Sequence, residues 1–397
     1  AFDGAADGGV ASAGRMRNAV VMLALLLCAL LFPLTACASK TDLRSVLNRE
    51  QLNALQSAAD TLSEGAAFDI LETAQAVMRG EKILSADELC EAALTAARSA
   101  LQNKRGLLTQ LFAVILLSAL LQRFADAWGG DGRAARLAQW ICFLFLALAV
   151  TRECTEALGR VRRTVERAAG GMRTICPVLL TLLAAVGGTG SAAVLQPAVS
   201  AALAAVTAVC KKICLPLTAA FLALSLLDGI TDAWSLSRLS KLCRSCETLA
   251  LGTVLTAFTG LMSVRGFTAA ARDGVALRTA KFAADTFVPD VGGMLSDTAE
   301  TVAAGSLLVK NALGVTAMTL ICLFFLAPLV QLTLSGLVFR LCAATAEPVA
   351  DPGMVKCLDA ASGMMGMLAG CLLGVAAMFL ILIAQAVAAG GIIAMLA

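Results

Sequence analysis

Apolar runs of about 16 to 20 residues recur through most of this chain, and that is the length a helix needs to cross a hydrocarbon core of roughly 30 Å. Lipid offers no hydrogen bonds, so a segment crossing it must satisfy its own backbone, which an α-helix does. The composition agrees. Of the 397 residues, 59% are hydrophobic and 15% charged, with a mean hydropathy of +0.84; soluble domains hold about 45–50% apolar and about 25% charged residues. The sequence therefore predicts an all-α polytopic membrane protein. A net charge of +3 is too small to point to nucleic acid. There is no histidine, which removes the commonest general base and metal ligand. Most of the 14 cysteines, Cys142, Cys322 and Cys371 among them, lie inside apolar runs, where a thiol behaves as a small hydrophobe.

Residues 1–15 are polar and rich in Gly and Ala, and Met16-Arg17 makes a tidier start. A short basic region, an apolar core and small residues then form a secretory signal, so 1–38 reads as an N-terminal extension and signal sequence. Ala36-Cys37-Ala38 fits an A-x-A cleavage site. Leu34-Thr35-Ala36-Cys37 also resembles a bacterial lipobox, which would lipidate Cys37, and an uncleaved anchor is the third reading. Residues 39–105 are the sizeable polar region. Eight Lys/Arg, ten Asp/Glu and no Pro fall between 40 and 105, with Leu43, Val46, Leu47, Leu52 and Leu55 at helical spacing. This predicts two or three short amphipathic helices with breaks near Gly65 and Gly80, exported behind the signal. The region is too small for an enzyme core and suits a docking surface.

Residues 106–397 form the multi-pass domain. Candidate spans lie at 107–121, 137–150, 174–190, 193–209, 213–229, 248–264, 312–341 (interrupted by Pro328) and from 361 onward, with tight connections at Gly187-Gly188-Thr189-Gly190 and at Lys211-Lys212. Residues 152–173 carry six Arg against three Glu and read as an amphipathic interfacial helix. Eight full spans after an outside N-terminus would put 152–173, Lys211-Lys212 and 265–310 all outside, against the positive-inside rule. Taking one short early segment as non-spanning gives seven spans and places all three in the cytoplasm. The expectation is thus 7–8 transmembrane helices.

The motifs that could carry chemistry are thin. Cys243-Arg244-Ser245-Cys246 is a CxxC, but zinc needs four ligands; there is no second CxxC, although Cys210 and Cys214 lie one turn apart. A redox CxxC opens a helix in a βαβ context, so these read as structural cysteines. The glycines at 187–190 lack the P-loop Lys-Ser/Thr and read as a helix hairpin. Gly366, Gly370 and Gly374 repeat every fourth residue on one helix face, which serves either oligomerisation or internal helix packing; Ala201 and Ala205 are a weaker version. No nucleophile–base pair, metal set or cofactor signature emerges. Asp228, Asp232 and Arg340 can snorkel from the ends of spans. Lys310-Asn311 differs: if 302–309 enters the membrane, Lys310 lies inside and must face protein or water.

The interval 265–314 holds five basic and five acidic residues without a spanning run. From Arg272 to Phe287 it is amphipathic, with Arg278, Lys281 and Asp285 on one face, the last two at i,i+4 spacing. Ala276, Ala280, Ala283 and Phe287 line another face. Pro289 and Gly292-Gly293 end the helix. The physical reading is an interfacial or re-entrant helix, a hinge and a second helix entering the next span, or else a surface helix with no special role.

The run "DGVALRTAKFAADTFVPDVGGMLSDTAETVAAGSLLVKNALG" closely resembles the signature region of the stage III sporulation protein AE family of endospore-forming Firmicutes. The layout of signal, short exported helical region and polytopic body is similar over nearly the whole chain. Asp290 stands where that pattern leads us to expect an apolar residue.

The resemblance implies a non-enzymatic, multi-pass subunit in the mother-cell membrane around the forespore. There it would act with the other AA-to-AH proteins, and with the forespore's stage II sporulation protein Q, in a channel complex supporting late forespore gene expression. ATP hydrolysis would belong to the AA subunit. Implied contacts are those partners, membrane lipid and a homo-oligomer; no cofactor is implied. An independent secondary transporter is the alternative, and would show internal repeats with paired broken helices.

Overall fold

The computed structural model describes residues 49–63, 69–79, 86–127, 133–185, 188–230, 236–287, 292–348 and 350–396. The signal sequence, Cys37 and Pro289 lie outside the described residues. Every regular element among them is a helix: α1 (Arg49–Ser63), α2 (Ile70–Met78), α3 (Ala86–Ala127), α4 (Arg133–Ala185), α5 (Thr189–Val209), a π-helical turn (Cys210–Cys214), α6 (Leu215–Ile230), α7 (Ser237–Phe287), α8 (Gly292–Ala346) and α9 (Pro352–Leu396).

Helix α1 ends at Ser63 and α2 spans Ile70–Met78; Gly65 and Gly80, where breaks are expected, lie outside the described residues. α2 is capped by Asp69, whose carboxylate accepts from the backbone N–H groups of Leu71 and Glu72, two of the donors a helix start leaves unpaired. Neither short helix stands apart. α1 packs on α4 and α2 on α8, burying Leu55, Ala58, Ala59 and Leu62, then Ile70, Ala74, Val77 and Met78. The boundary placed at 105/106 falls inside α3.

Among the described residues, six stretches are long and apolar enough to cross a membrane: Cys90–Leu121, Leu137–Ala185, Thr189–Gly229, Ser237–Val264, Gly305–Ala346 and Pro352–Ala389. The eight apolar segments read from the sequence lie on these six, for two reasons. Segments 137–150 and 174–190 are joined without a break in α4, because 152–173 stays helical and turns Cys154, Ala157, Val161, Val165, Ala168 and Met172 inward, each 0% exposed. Their spacing of three and four residues buries one face against the bundle and leaves five of the six arginines exposed, Arg160 being half-buried. The amphipathic character holds, and the segment is a continuous part of α4 rather than a separate helix.

Segments 193–209 and 213–229 are likewise continuous. At Lys211-Lys212 the chain does not turn back; it widens into the π turn, in which the Leu215 N–H bonds the Cys210 carbonyl. Pro216 explains this, since it has no N–H and its ring crowds the carbonyl four residues earlier. The glycine connection does reverse the chain. Helix α4 stops at Ala185 and α5 starts at Thr189, with Gly188 N–H on Leu183 O at 3.0 Å.

Helix α9 is the hub, packing on α8, α7, α4 and α6. Met364, Leu368, Leu372, Phe379 and Ile383 are 0% exposed along it. Helix α8 runs antiparallel to α9, with Gly336 against Met365 and Lys310 beside Val387. The α5–α6 rod is antiparallel to it as well, from Leu195 near Ala389 to Gly229 near Gly353. A Cβ on Gly353 would lie 2.7 Å from the Gly229 carbonyl, so two backbones touch there, as small residues allow in lipid. Helices α4 and α8 have 53 and 55 residues, or roughly 80 Å at 1.5 Å per residue, well beyond one hydrocarbon core.

Candidate functional site

Three sets of ionisable or polar side chains are buried where helices meet. The first is at the start of the Gly305–Ala346 span. Lys310 is 0% exposed and its ammonium donates to the carbonyl of Val387 at 3.0 Å. Segment 302–309 is helical and 305–309 is already inside this packed region, so Lys310 faces protein, one of the two options its position left open. Gly314, one turn on, is what lets α9 approach: a Cβ there would lie 2.1 Å from Val387 Cγ2. Asn311 beside it has a buried Oδ1 without a hydrogen-bond partner among the described residues.

The second set joins α3 to α4. Lys104 and Arg160 both donate to Glu153 Oε1, the arginine at 3.0 Å, and Arg160 also lies 4.0 Å from Glu156. Lys104 and Glu153 are 9% and 7% exposed. A buried carboxylate with two cations is compensated, whereas any one of them alone would be expensive. Further along the exposed ridge, Lys211 of the π turn pairs with Glu166, tying the α5–α6 rod to the arginine-rich part of α4.

The third set surrounds the π turn. Glu247 on α7 is 4% exposed, with Oε2 2.8 Å from Thr218 Oγ1 on α6. Cys210 Sγ lies 3.5 Å from Cys371 Sγ. Among the described residues no group of three or more His, Cys, Asp or Glu is arranged to hold a metal ion. Cys243 and Cys246 are half-buried and exposed on α7.

Reasoning from sequence missed the second and third sets. Lys104 lies in the polar region 39–105, Glu153 in the arginine-rich 152–173 segment and Glu247 just before the apolar run 248–264, and no motif singles any of them out. The usable signal was helical phase. Glu153 shares its stripe with Ala157 and Arg160, and Glu247 shares a face with Leu251, Val254 and Phe258.

The charged interval divides differently. Helix α7 continues from Ser237 to Phe287 with no break at Arg265, so Arg278, Lys281 and Asp285 lie on an extension of a span rather than on a separate re-entrant helix. It stops just before Pro289, and Gly292-Gly293 open α8, which runs into the next span as the sequence implied. Among the α9 glycines, a Cβ on Gly374 would meet Leu251 Cδ1 at 2.9 Å, while Gly366 and Gly370 have open space.

A bundle whose described residues are all helical, with six membrane-length apolar stretches among them and charges buried at the helix contacts, is a multi-pass membrane protein. The chain belongs to the stage III sporulation protein AE family, whose model matches residues 68–390. It is similar to the Stage III sporulation protein AE of Bacillus subtilis (strain 168), at 26% identity over 319 residues covering 80% of each chain. No solved structure matches it.

Proposed function

We propose that this chain is a non-enzymatic membrane subunit of the stage III sporulation transport complex, in the mother-cell membrane facing the forespore. The observation that carries the reading is the family match, which takes in every long helix from α3 to α9. In this reading the other AA-to-AH proteins are its partners, with stage II sporulation protein Q reached indirectly. Two cytoplasmic contacts follow: the arginine ridge of α4, and the α7 extension bearing Arg278, Lys281 and Asp285 with the Pro289/Gly292-Gly293 joint. These meet the AA ATPase or anionic lipid, and ATP hydrolysis stays with AA. Lys310 and Asn311 are the candidate working residues inside the bundle.

An affinity pull-down of the tagged chain from sporulating cells tests this. Co-recovery of the other AA-to-AH proteins is expected. Recovery of the chain alone from intact, gently solubilised membranes would return the reading to an independent transporter.

A further inference from the structure

Two carboxyl groups are buried among the described residues, and their surroundings are opposite. Glu153 has Lys104 and Arg160 on one oxygen. Glu247 is met by a hydroxyl. Thr218 Oγ1 stands 2.8 Å from Glu247 Oε2 and also 2.8 Å from the Cys214 carbonyl oxygen.

A hydroxyl owns a single proton, and a carbonyl only accepts. If Glu247 is ionised, Thr218 can donate to it or to Cys214, and the other short contact becomes two oxygens facing each other without a hydrogen. Both contacts are hydrogen bonds at once when the carboxyl itself carries a proton. Glu247 then donates to Thr218 Oγ1, and Thr218 donates onward to the Cys214 carbonyl. The far end of this chain is the π turn, a wide turn of the kind that recurs at functional sites.

We propose that Glu247, Thr218 and the Cys210–Cys214 turn form a protonation site inside the membrane body, whose ligand is one proton. The ionisable groups acting on Glu247 are Arg244, one turn earlier on its own helix, and Cys214 on the π turn, which in turn contacts Cys371 of α9. Helix α6 contributes the neutral Thr218. Losing the proton to water turns the Thr218 hydroxyl toward the carboxylate and takes a donor from Cys214. The charge state of one side chain on α7 is thereby coupled to the turn that joins α5 to α6.

The inference rests on the membrane reading of the bundle and not on any partner. The test uses the full-length chain in lipid nanodiscs. Infrared difference spectra between wild type and Glu247→Gln should show the carbonyl stretch of a protonated carboxyl, lost reversibly as pH rises. Dicyclohexylcarbodiimide, which reacts with protonated carboxyls in apolar surroundings, should modify Glu247 and spare Glu153. Its yield should drop about tenfold per pH unit beyond the titration point. Glu247→Gln keeps a donor toward Thr218 and is expected to fold normally. A spectrum with only the carboxylate band of Glu247 from mildly acid pH upward overturns the proposal. So does labelling of Glu153 in preference to Glu247.

Discussion

The ammonium of Lys310, on α8, donates to the main-chain carbonyl of Val387, on α9, beside the close approach that Gly314 allows. Val387 lies inside α9 rather than at its end, so its oxygen is already placed to accept from the helix ladder. The lysine adds a donor to a satisfied acceptor and has no carboxylate within ion-pair distance among the described residues. Helix packing alone does not call for such a group, because burying an unpaired charge is costly and a hydrophobic residue of the same size does as well or better.

This separates stability from function at one position. Lys310→Met should fold at least as well as wild type, read as the melting temperature of the purified chain. If the ammonium serves a passage or gating step, spore yield should drop sharply at unchanged protein level. Normal spore yield with Lys310→Met would leave the lysine a structural oddity.

Gly314 tests the contact itself. Its missing side chain is the reason Lys310 can reach Val387, since an added Cβ falls 2.1 Å from Val387 Cγ2. Gly314→Ala should destabilise by about 1–3 kcal/mol, as overpacking does. Val387→Ala should relieve it, so the double variant should be more stable than the two single effects added together. Simple additivity in thermal unfolding would show that the helices separate there at little cost.

The α3–α4 junction makes a charge prediction. Glu153→Gln leaves Lys104 buried without its carboxylate and should cost about 3–5 kcal/mol. Arg160 suffers less because Glu156 is within reach. Replacing the buried pair together, Lys104→Met with Glu153→Leu, should recover most of the loss. A Glu153→Gln protein as stable as wild type would mean that water reaches Lys104.

The all-helical class was legible because run length and hydropathy act locally, and a backbone in lipid has few alternatives. The helix ends near Gly65, Gly80, the 187–190 glycines and Pro289 were legible for the same reason, since Gly and Pro act on their own neighbours. Continuity was harder to see. Residues 152–173 and Lys211-Lys212 carry charge that reads as a loop or an interface, and whether a charged stretch ends a helix depends on what packs behind it. The contacts of Glu153 with α3 and of Lys211 with Glu166 are made between residues far apart in the chain. Glu247 was hidden likewise, because Thr218 comes from another helix across a turn shaped by Pro216.

The α9 glycines decide between two uses of one motif. Gly374 is filled from inside the molecule by Leu251 of α7, so Gly374→Ala should destabilise the monomer by about 1–3 kcal/mol, with Leu251→Ala as its rescue. Gly366 and Gly370 have no atom within 4 Å of an added Cβ, so alanine at either should leave monomer stability unchanged. Any assembly role of the motif therefore falls on those two. Gly370→Leu should shift the oligomer distribution on native gels without lowering the monomer melting temperature. A lower melting temperature with unchanged oligomers would confine the whole motif to internal packing.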